Sequence, residues 1–297
     1  MVRHWLCLAL AALTFPLAAE AGPKFKPLTA DGLPNVQSES ALIIDYDSGE
    51  LLFTKNPEQV RAIASTGKIF VALVARKHGI DLEAITQITE SDAKLARGGA
   101  RTRLSVGHGF RNIDLLRAML IASDNRAPSA IGRAVGLSPA GLIYEMNVVA
   151  KELGLRSTKF TDCSGLRGNV STAKEMAVAL QAALTDPILR EIMATRSVDV
   201  VSRAKKPRRI SYRNTNRPLH NEKWDIVGGK TGYTAAAGYC LVLGARHHGR
   251  RLGIVFLGAQ GKLTRFGDFG RVMGWLASKT TVPVAAGVAT STPASGR

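Results

Sequence analysis

The sequence predicts an α/β fold in which an antiparallel sheet takes strands from both chain ends and an all-helical lobe is inserted between them. Three observations carry that expectation. "SALIIDYDSGELLFTKN", Ser40 to Asn56, is two short apolar runs around Asp47-Ser48-Gly49, which is a β-hairpin pattern. "GYCLVLGARHHGRRLGIVFLGAQ", from Gly238, is a second hairpin turning at His247-His248-Gly249-Arg250. Between about residues 80 and 200 the apolar spacing is helical instead.

The remaining elements follow in order. Residues 1–21 read as a signal peptide: Arg3 and His4, then the apolar "WLCLALAALTFPLA", then Ala19-Glu20-Ala21 with small residues at the cleavage positions. That apolar core is shorter than the roughly 20 residues of a membrane span, and no later stretch reaches that length. Residues 22–37 are aperiodic and read as a linker. A helix is expected to begin at or near Ser65, to carry Ile69, Ala72, Leu73 and Arg76 on successive turns, and to end by Gly79. "NIDLLRAMLIAS" reads as amphipathic, as does the helix opening on Ser138-Pro139 and stopping at Gly154. Thr172 with Glu175 forms an expected capping box. "TRFGDFGRVMGWLAS" makes a closing helix, which ends one folded unit over 38–279. Residues 280–297 are small and polar and read as a disordered tail, without the basic amphipathic pattern of a membrane anchor.

Bulk chemistry narrows the partners. The chain has 297 residues, 45% of them hydrophobic, with a formal charge of +17 and a pI near 10.2. Such a balance favours polyanions: nucleic acid, an anionic membrane or an acidic wall polymer. Export and the lack of any nucleic-acid-reading motif argue against nucleic acid. The six histidines show no metal-ligand spacing, and neither metal nor cofactor is expected. Cys7 leaves with the signal peptide, so Cys163 and Cys240 remain, either as independent buried thiols or as a pair. The run "RAKKPRRISYR", Arg203 to Arg213, reads either as a solvated loop or as a contact for substrate carboxylates.

The pattern S-x-x-K occurs four times, at Ser65/Lys68, Ser91/Lys94, Ser171/Lys174 and Ser202/Lys205. Only the first two precede both Ser123-Asp124-Asn125 and Lys230-Thr231-Gly232, and only Ser65 opens an apolar helix. A serine hydroxyl is a weak nucleophile that needs a base within hydrogen-bond reach. Residues i and i+3 share a helix face, so Lys68 can approach Ser65. A lysine acts as base only when its pKa falls, and burial with a second cation, Lys230, would lower it. The helix start would add the Ser65 amide as an oxyanion donor.

These three motifs in this order resemble the penicillin-binding proteins and class A β-lactamases. The likeness extends through "ASDNRAPSAIGRAVG", "NVSTAKEMA", "YRNTN" and "KWDIVGGKTGYTAAAGYCLVLGA", from about Ser40 to Ser278, where the chain is similar to the low-molecular-mass D-alanyl-D-alanine peptidases, above all the penicillin-binding protein 7 type of endopeptidase. The resemblance implies the β-lactamase/transpeptidase-like fold, peptidoglycan stem peptides as substrate and β-lactams as covalent inhibitors. It implies Ser65 as acyl-enzyme nucleophile, Lys68 as proton acceptor and Ser123 as proton relay. Asn125 would hold the substrate amide, Lys230, Thr231 and Gly232 the substrate carboxylate, and the Tyr233 amide would complete the oxyanion hole. The stretch "TDCSGL", Thr161 to Leu166, resembles a loop of that family, and Cys163 stands where the loop usually carries proline.

A lactamase would also need E-x-x-x-N. Glu145, Glu152, Glu175, Glu191 and Glu222 are followed four residues on by Val149, Arg156, Ala179, Thr195 and Ile226, so that reading lacks its water-activating loop. Endopeptidase and carboxypeptidase action both remain open. The stop soon after Trp275, without a further β-rich domain, favours the endopeptidase. A vestigial, non-catalytic wall-binding module is the remaining alternative, and the intact trio argues against it. A signal peptide without an anchor implies a periplasmic enzyme.

Overall fold

The computed structural model describes residues 25–100 and 102–280. The expected signal peptide lies outside the described residues, as does the expected tail except for Thr280, which closes the last helix. The chain opens with β1 (Ser40–Asp45), β2 (Leu51–Lys55), β3 (Arg61–Ala62), a 3-10 turn over Ala64–Gly67 and α1 (Lys68–Lys77). The lobe follows with β4 (Ile85–Gln87), α2 (Glu90–Leu95), β5 (Gly109–Arg111), α3 (Asn112–Ala122), α4 (Ala127–Ala134) and α5 (Pro139–Glu152). Next come β6 (Val170–Ser171), α6 (Ala173–Thr185), α7 (Pro187–Ala194), β7 (Ser197–Val201) and β8 (Arg209–Arg213). The chain closes with a 3-10 turn over Arg217–His220, β9 (Asp225–Thr234), β10 (Gly238–His247), β11 (Arg250–Ala259) and α8 (Thr264–Thr280).

The main sheet has the order β2-β1-β11-β10-β9 with every pairing antiparallel, so strands from the two chain ends meet at β1 and β11. Ile43 opposes Ile254 and Leu42 opposes Val255 across that junction. Period-2 alternation sorts the strands onto two apolar faces. Leu42, Val242, Val255 and Leu257 face the helical lobe. Ala41, Ile43, Leu241, Leu243, Ile254 and Phe256 face α8, where Phe269, Val272, Met273 and Trp275 cover them. A sheet covered on both faces explains the near-continuous apolar runs of β10 and β11.

Caps set several boundaries. Ser138 accepts from the Gly141 amide to open α5. Thr172 accepts from the Glu175 amide to open α6, but the expected box is only half made. The Glu175 carboxylate instead accepts from the Ser157 amide and the Thr158 hydroxyl, so it is spent on the preceding loop and not on the cap. A full capping box occurs at Thr89 and Asp92, so Ser91 sits on a short helix, α2.

Other departures have physical causes. α3 is not amphipathic: Leu115, Leu116, Ala118, Met119, Leu120 and Ile121 are all fully buried, because the helix runs through the middle of the lobe. The helical stretch is also broken by the ladders β3–β6, β4–β5 and β7–β8, whose strands are too short to give a clear alternation. The basic run is therefore half strand, with Arg209–Arg213 forming β8.

Residues 25–37 carry a single bridge, Leu28 to Pro34, and their far end is fastened to α8. Asp268, fully buried, accepts from the Gln37 amide at 2.8 Å, the Ser38 amide at 2.8 Å and the Ser38 hydroxyl at 2.6 Å, and pairs with Arg271. Removing that carboxylate strands the buried Ser38 amide, the part-buried Gln37 amide and a cation. Asp268→Ala should lower stability by about 3 kcal/mol, or roughly 6–12 °C in Tm. A thermal melt indistinguishable from wild type would show that this anchor contributes nothing.

Candidate active site

Ser65 sits in the 3-10 turn between β3 and α1. Ile63 O fixes this turn by accepting from the Thr66 amide at 3.2 Å and the Thr66 hydroxyl at 2.6 Å. Two glycines close on the Ser65 backbone from opposite chain segments. A Cβ on Gly165 would lie 2.2 Å from Ala64 O and 2.7 Å from Ser65 N, and one on Gly232 would lie 3.0 Å from Ser65 N. Gly165 also has φ of +83°, which favours glycine on its own account. Ser65 Oγ donates to Ser164 O at 3.3 Å.

Lys68 is the first residue of α1 and is fully buried. Its Nζ donates to Ser123 O at 2.7 Å, to Ser123 Oγ at 3.1 Å and to Asn125 Oδ1. Burial drops its pKa to about 7, against the opposing pull of the Asp124 carboxylate. The expected Ser65–Lys68 hydrogen bond is not made, since the Lys68 head group is taken up by the Ser123 turn and the Ser65 hydroxyl by Ser164.

Ser123 caps the C-terminus of α3 in the left-handed conformation, at φ of +63°. It does not cap α4, which begins at Ala127 behind Arg126. That turn lays Ser123 O, Ser123 Oγ and Asn125 Oδ1 around one ammonium position. Asp124 faces the other way. Its carboxylate, 4% exposed, accepts from the Arg103 amide at 2.7 Å, the Arg126 amide at 3.0 Å and the Tyr212 hydroxyl at 3.1 Å. The middle residue of the motif is thus the brace that joins α3 to β8, a role that the sequence reading missed.

Lys230, Thr231, Gly232 and Tyr233 lie on β9, the edge strand of the main sheet. Lys230 is buried, with Nζ donating to Thr231 O at 2.8 Å. Burial, together with the charges of Lys68 and Arg265, holds its pKa well below the usual lysine range. The second-cation effect expected on Lys68 therefore falls on Lys230, and burial is what lowers Lys68. Thr231 Oγ1 shares a hydrogen bond of 2.6 Å with Thr215 Oγ1, and the Thr215 amide donates to Ile121 O at 3.1 Å, which ties β9 to the end of α3. Arg265, reaching from α8, donates to Gly232 O at 2.7 Å and Cys240 O at 2.8 Å. Tyr233 is half exposed and stacks on Tyr239 at 4.1 Å.

These segments enclose a cleft of about 1110 Å³ whose lining includes Ser65, Ser123, Asn125, Thr231, Gly232 and Tyr233, with Lys68 and Lys230 buried behind it. Thr215, Arg265 and the 162–169 loop belong to the same construction, and the sequence reading gave none of them a role in it. In that loop Asp162 gathers the amides of Ser164, Gly165, Leu166 and Arg167, and its turn-type sequence D-x-S-G was the available signal. Cys163 and Cys240 are free and buried, and burial with the neighbouring Asp162 charge pushes the Cys163 thiol up to about 12.

The other three S-x-x-K pairs do not form such a site. Ser91 and Lys94 are both exposed. Ser171 Oγ is bonded to Thr158 while Lys174 points outward to Glu58. Ser202 Oγ bonds His108 and the Arg208 amide, with Lys205 in solvent.

Because Gly165 approaches backbone and not a mobile side chain, the Ser65 turn cannot yield cheaply. Gly165→Ala should cost at least about 2 kcal/mol, seen as a fall in Tm of roughly 4–8 °C. An unchanged melting temperature would contradict this close approach.

Comparison with known proteins agrees with the geometry. Residues 28–261 match the S11 peptidase family, described as D-alanyl-D-alanine carboxypeptidase. The chain is 30% identical to a D-alanyl-D-alanine endopeptidase of Escherichia coli (strain K12) over 92% of this chain and 88% of that one. It is 32% identical to a D-alanyl-D-alanine endopeptidase of Pseudomonas aeruginosa, over 94% and 91%. Its fold superimposes on the crystal structure of a D-alanyl-D-alanine carboxypeptidase from Mycobacterium tuberculosis H37Rv with a TM-score of 0.74 and 27% identity, over 86% and 95% of the two chains. With the antiparallel sheet, the inserted helical lobe and the Ser65 cleft already in view, the chain belongs to the S11 family and is a serine DD-peptidase.

Proposed function

We propose that this DD-peptidase cleaves D-alanyl cross-links of peptidoglycan through an acyl-enzyme on Ser65. The observation that carries the reading is the buried Lys68 amine, held between the Ser123 turn and the foot of the Ser65 helix with a pKa of about 7. About half of such lysines are neutral at neutral pH, and a neutral amine can take a proton.

In this scheme the Ser65 Oγ–H bond breaks as Oγ attacks the carbonyl carbon of the penultimate D-alanine. Lys68 Nζ takes that proton, after a rotation of the Ser65 hydroxyl away from Ser164 O. The oxyanion is met by the Ser65 and Tyr233 amides. Ser123 gives its hydroxyl proton to the leaving amine as the C–N bond breaks and takes the proton held by Lys68 in return, which leaves Lys68 neutral again. Asn125 holds the substrate amide, while Lys230 with Thr231 and Gly232 receives the carboxylate on the leaving side. Water then attacks the ester carbon, Lys68 takes its proton, and that proton passes to Ser65 Oγ as the ester C–O bond breaks, which restores the free serine and the neutral amine.

Endopeptidase action is supported by the names of the two relatives that match over nearly their whole length. Terminal D-alanine removal is the second reading, supported by the family's description and by the M. tuberculosis enzyme. The same acyl chemistry makes β-lactams covalent inhibitors of Ser65, with slow release of the adduct because no E-x-x-x-N glutamate is present to activate water. The signal-peptide pattern of residues 1–21 supports action in the periplasm, and among the described residues no helix is long and apolar enough to cross a membrane.

Incubating the purified enzyme with cross-linked dimer muropeptides, with and without penicillin, tests the proposal. Monomers should appear, penicillin should abolish them, and Ser65→Ala should lower the rate by at least about 1000-fold. Loss of only the terminal alanine would favour the carboxypeptidase, whereas full activity in Ser65→Ala would reject the nucleophile.

A further inference from the structure

The hairpin β7–β8 carries six cations against one carboxylate: Arg203, Lys205, Lys206, Arg208, Arg209 and Arg213 against Asp199. All six are exposed. In β8 the pleat turns Arg209, Ser211 and Arg213 outward and Ile210 and Tyr212 inward. Arg213 is part of the cleft lining, and Arg209 lies four residues, about 13 Å, further along the same face. Asp199, the single counter-charge, is already paired with Arg209.

A merely solvated loop would not need the supports that this hairpin has. Arg203 exchanges backbone bonds of 2.7 and 3.1 Å with Gly109. Arg208 donates to Ser105 Oγ at 3.0 Å, and its amide is held by Ser202 Oγ at 2.9 Å. On the inner face Tyr212 donates to Asp124, the residue between Ser123 and Asn125. The cationic strand is therefore set rigidly beside the cleft and braced through the same turn that holds Lys68.

We propose that this hairpin is an exosite for the free carboxylates of uncleaved stem peptides, which hold the wall polymer against the enzyme while a neighbouring peptide occupies the cleft. The inference rests on the peptidoglycan reading above. Each exposed ion pair is weak alone, so retention comes from several acting together and is screened by salt. Stem-peptide carboxylates recur along a sacculus, which suits a row of cations better than a single deep pocket.

The test uses a triple variant, Lys205→Gln with Lys206→Gln and Arg209→Gln, which spares Arg208 and its bond to Ser105 and the cleft residue Arg213. In a Ser65→Ala background, co-sedimentation with purified sacculi at low salt should fall about tenfold, and its salt dependence should flatten. With Ser65 intact, acylation by a soluble fluorescent penicillin should stay unchanged. Sacculi whose carboxylates have been amidated should be retained as poorly by the parent protein as native sacculi are by the triple variant. Undiminished retention of the triple variant, or equal retention of amidated and native sacculi, overturns the proposal. Loss of penicillin acylation in the triple variant would assign these residues to the cleft itself and overturn it as well. If the parent enzyme cleaves no muropeptide while retention still drops, the peptidoglycan-cleavage reading fails and the exosite stands.

Discussion

Lys68 has no solvent exposure and no carboxylate within hydrogen-bond contact, and the cleft is arranged around the consequences. Taking an ammonium out of water costs several kcal/mol, so the side chain sheds its proton near neutrality instead. Between pH 7 and the ordinary lysine value the unfolded chain holds a proton that the folded chain lacks. Stability therefore rises with pH across that window, and at neutral pH the site is kept at a cost to stability. The rest of the fold supplies what offsets it: α1 is buried from Lys68 through Ala72 and packs among α3, α4, α5 and α6, of which α6 lies on the sheet.

Three chain segments distant in sequence meet at that lysine, and each is fixed by a different device. The Ser65 turn is wedged between two glycine backbones. The Ser123 turn is a left-handed helix end whose middle residue, Asp124, is tied outward to Arg103, Arg126 and Tyr212. The Lys230 strand is a sheet edge held by Arg265 from behind and Thr215 from the front. Rigid positioning of this kind is what acyl transfer requires, because the reacting groups must be aligned before the chemistry begins. It also couples the cleft to the basic hairpin through one carboxylate, Asp124.

Much of this was legible in the residues. The two hairpins had clear alternation and turn residues, so the strands from both chain ends emerged from pattern alone. The candidate positions Ser65, Lys68, Ser123, Asn125, Lys230, Thr231, Gly232 and Tyr233 came from motif order and family resemblance, and they gather at or directly behind one cleft. What escaped notice was tertiary. Nothing local marks Asp124 as a brace, since Arg126 is its one near partner and the two that it ties together, Arg103 and Tyr212, lie farther off in the chain. α3 read as amphipathic because Asn112, Asp114 and Arg117 interrupt its apolar run, yet Asn112 and Asp114 are buried through bonds of their own. The two-to-five-residue ladders were too short for period 2 to show. The missing Ser65–Lys68 bond follows from competition for acceptors that helix spacing cannot reveal.

The central claim is that burial lowers the Lys68 pKa to about 7, so that a large share of it is neutral amine at working pH. Lysine-selective isotope labelling followed by an NMR titration of the side-chain resonances, with Lys68 assigned by its loss in Lys68→Met, measures this directly. The account predicts a midpoint near 7 for that signal, well apart from the exposed lysines. A Lys68 signal titrating with the ordinary lysines, above about 10, would contradict it.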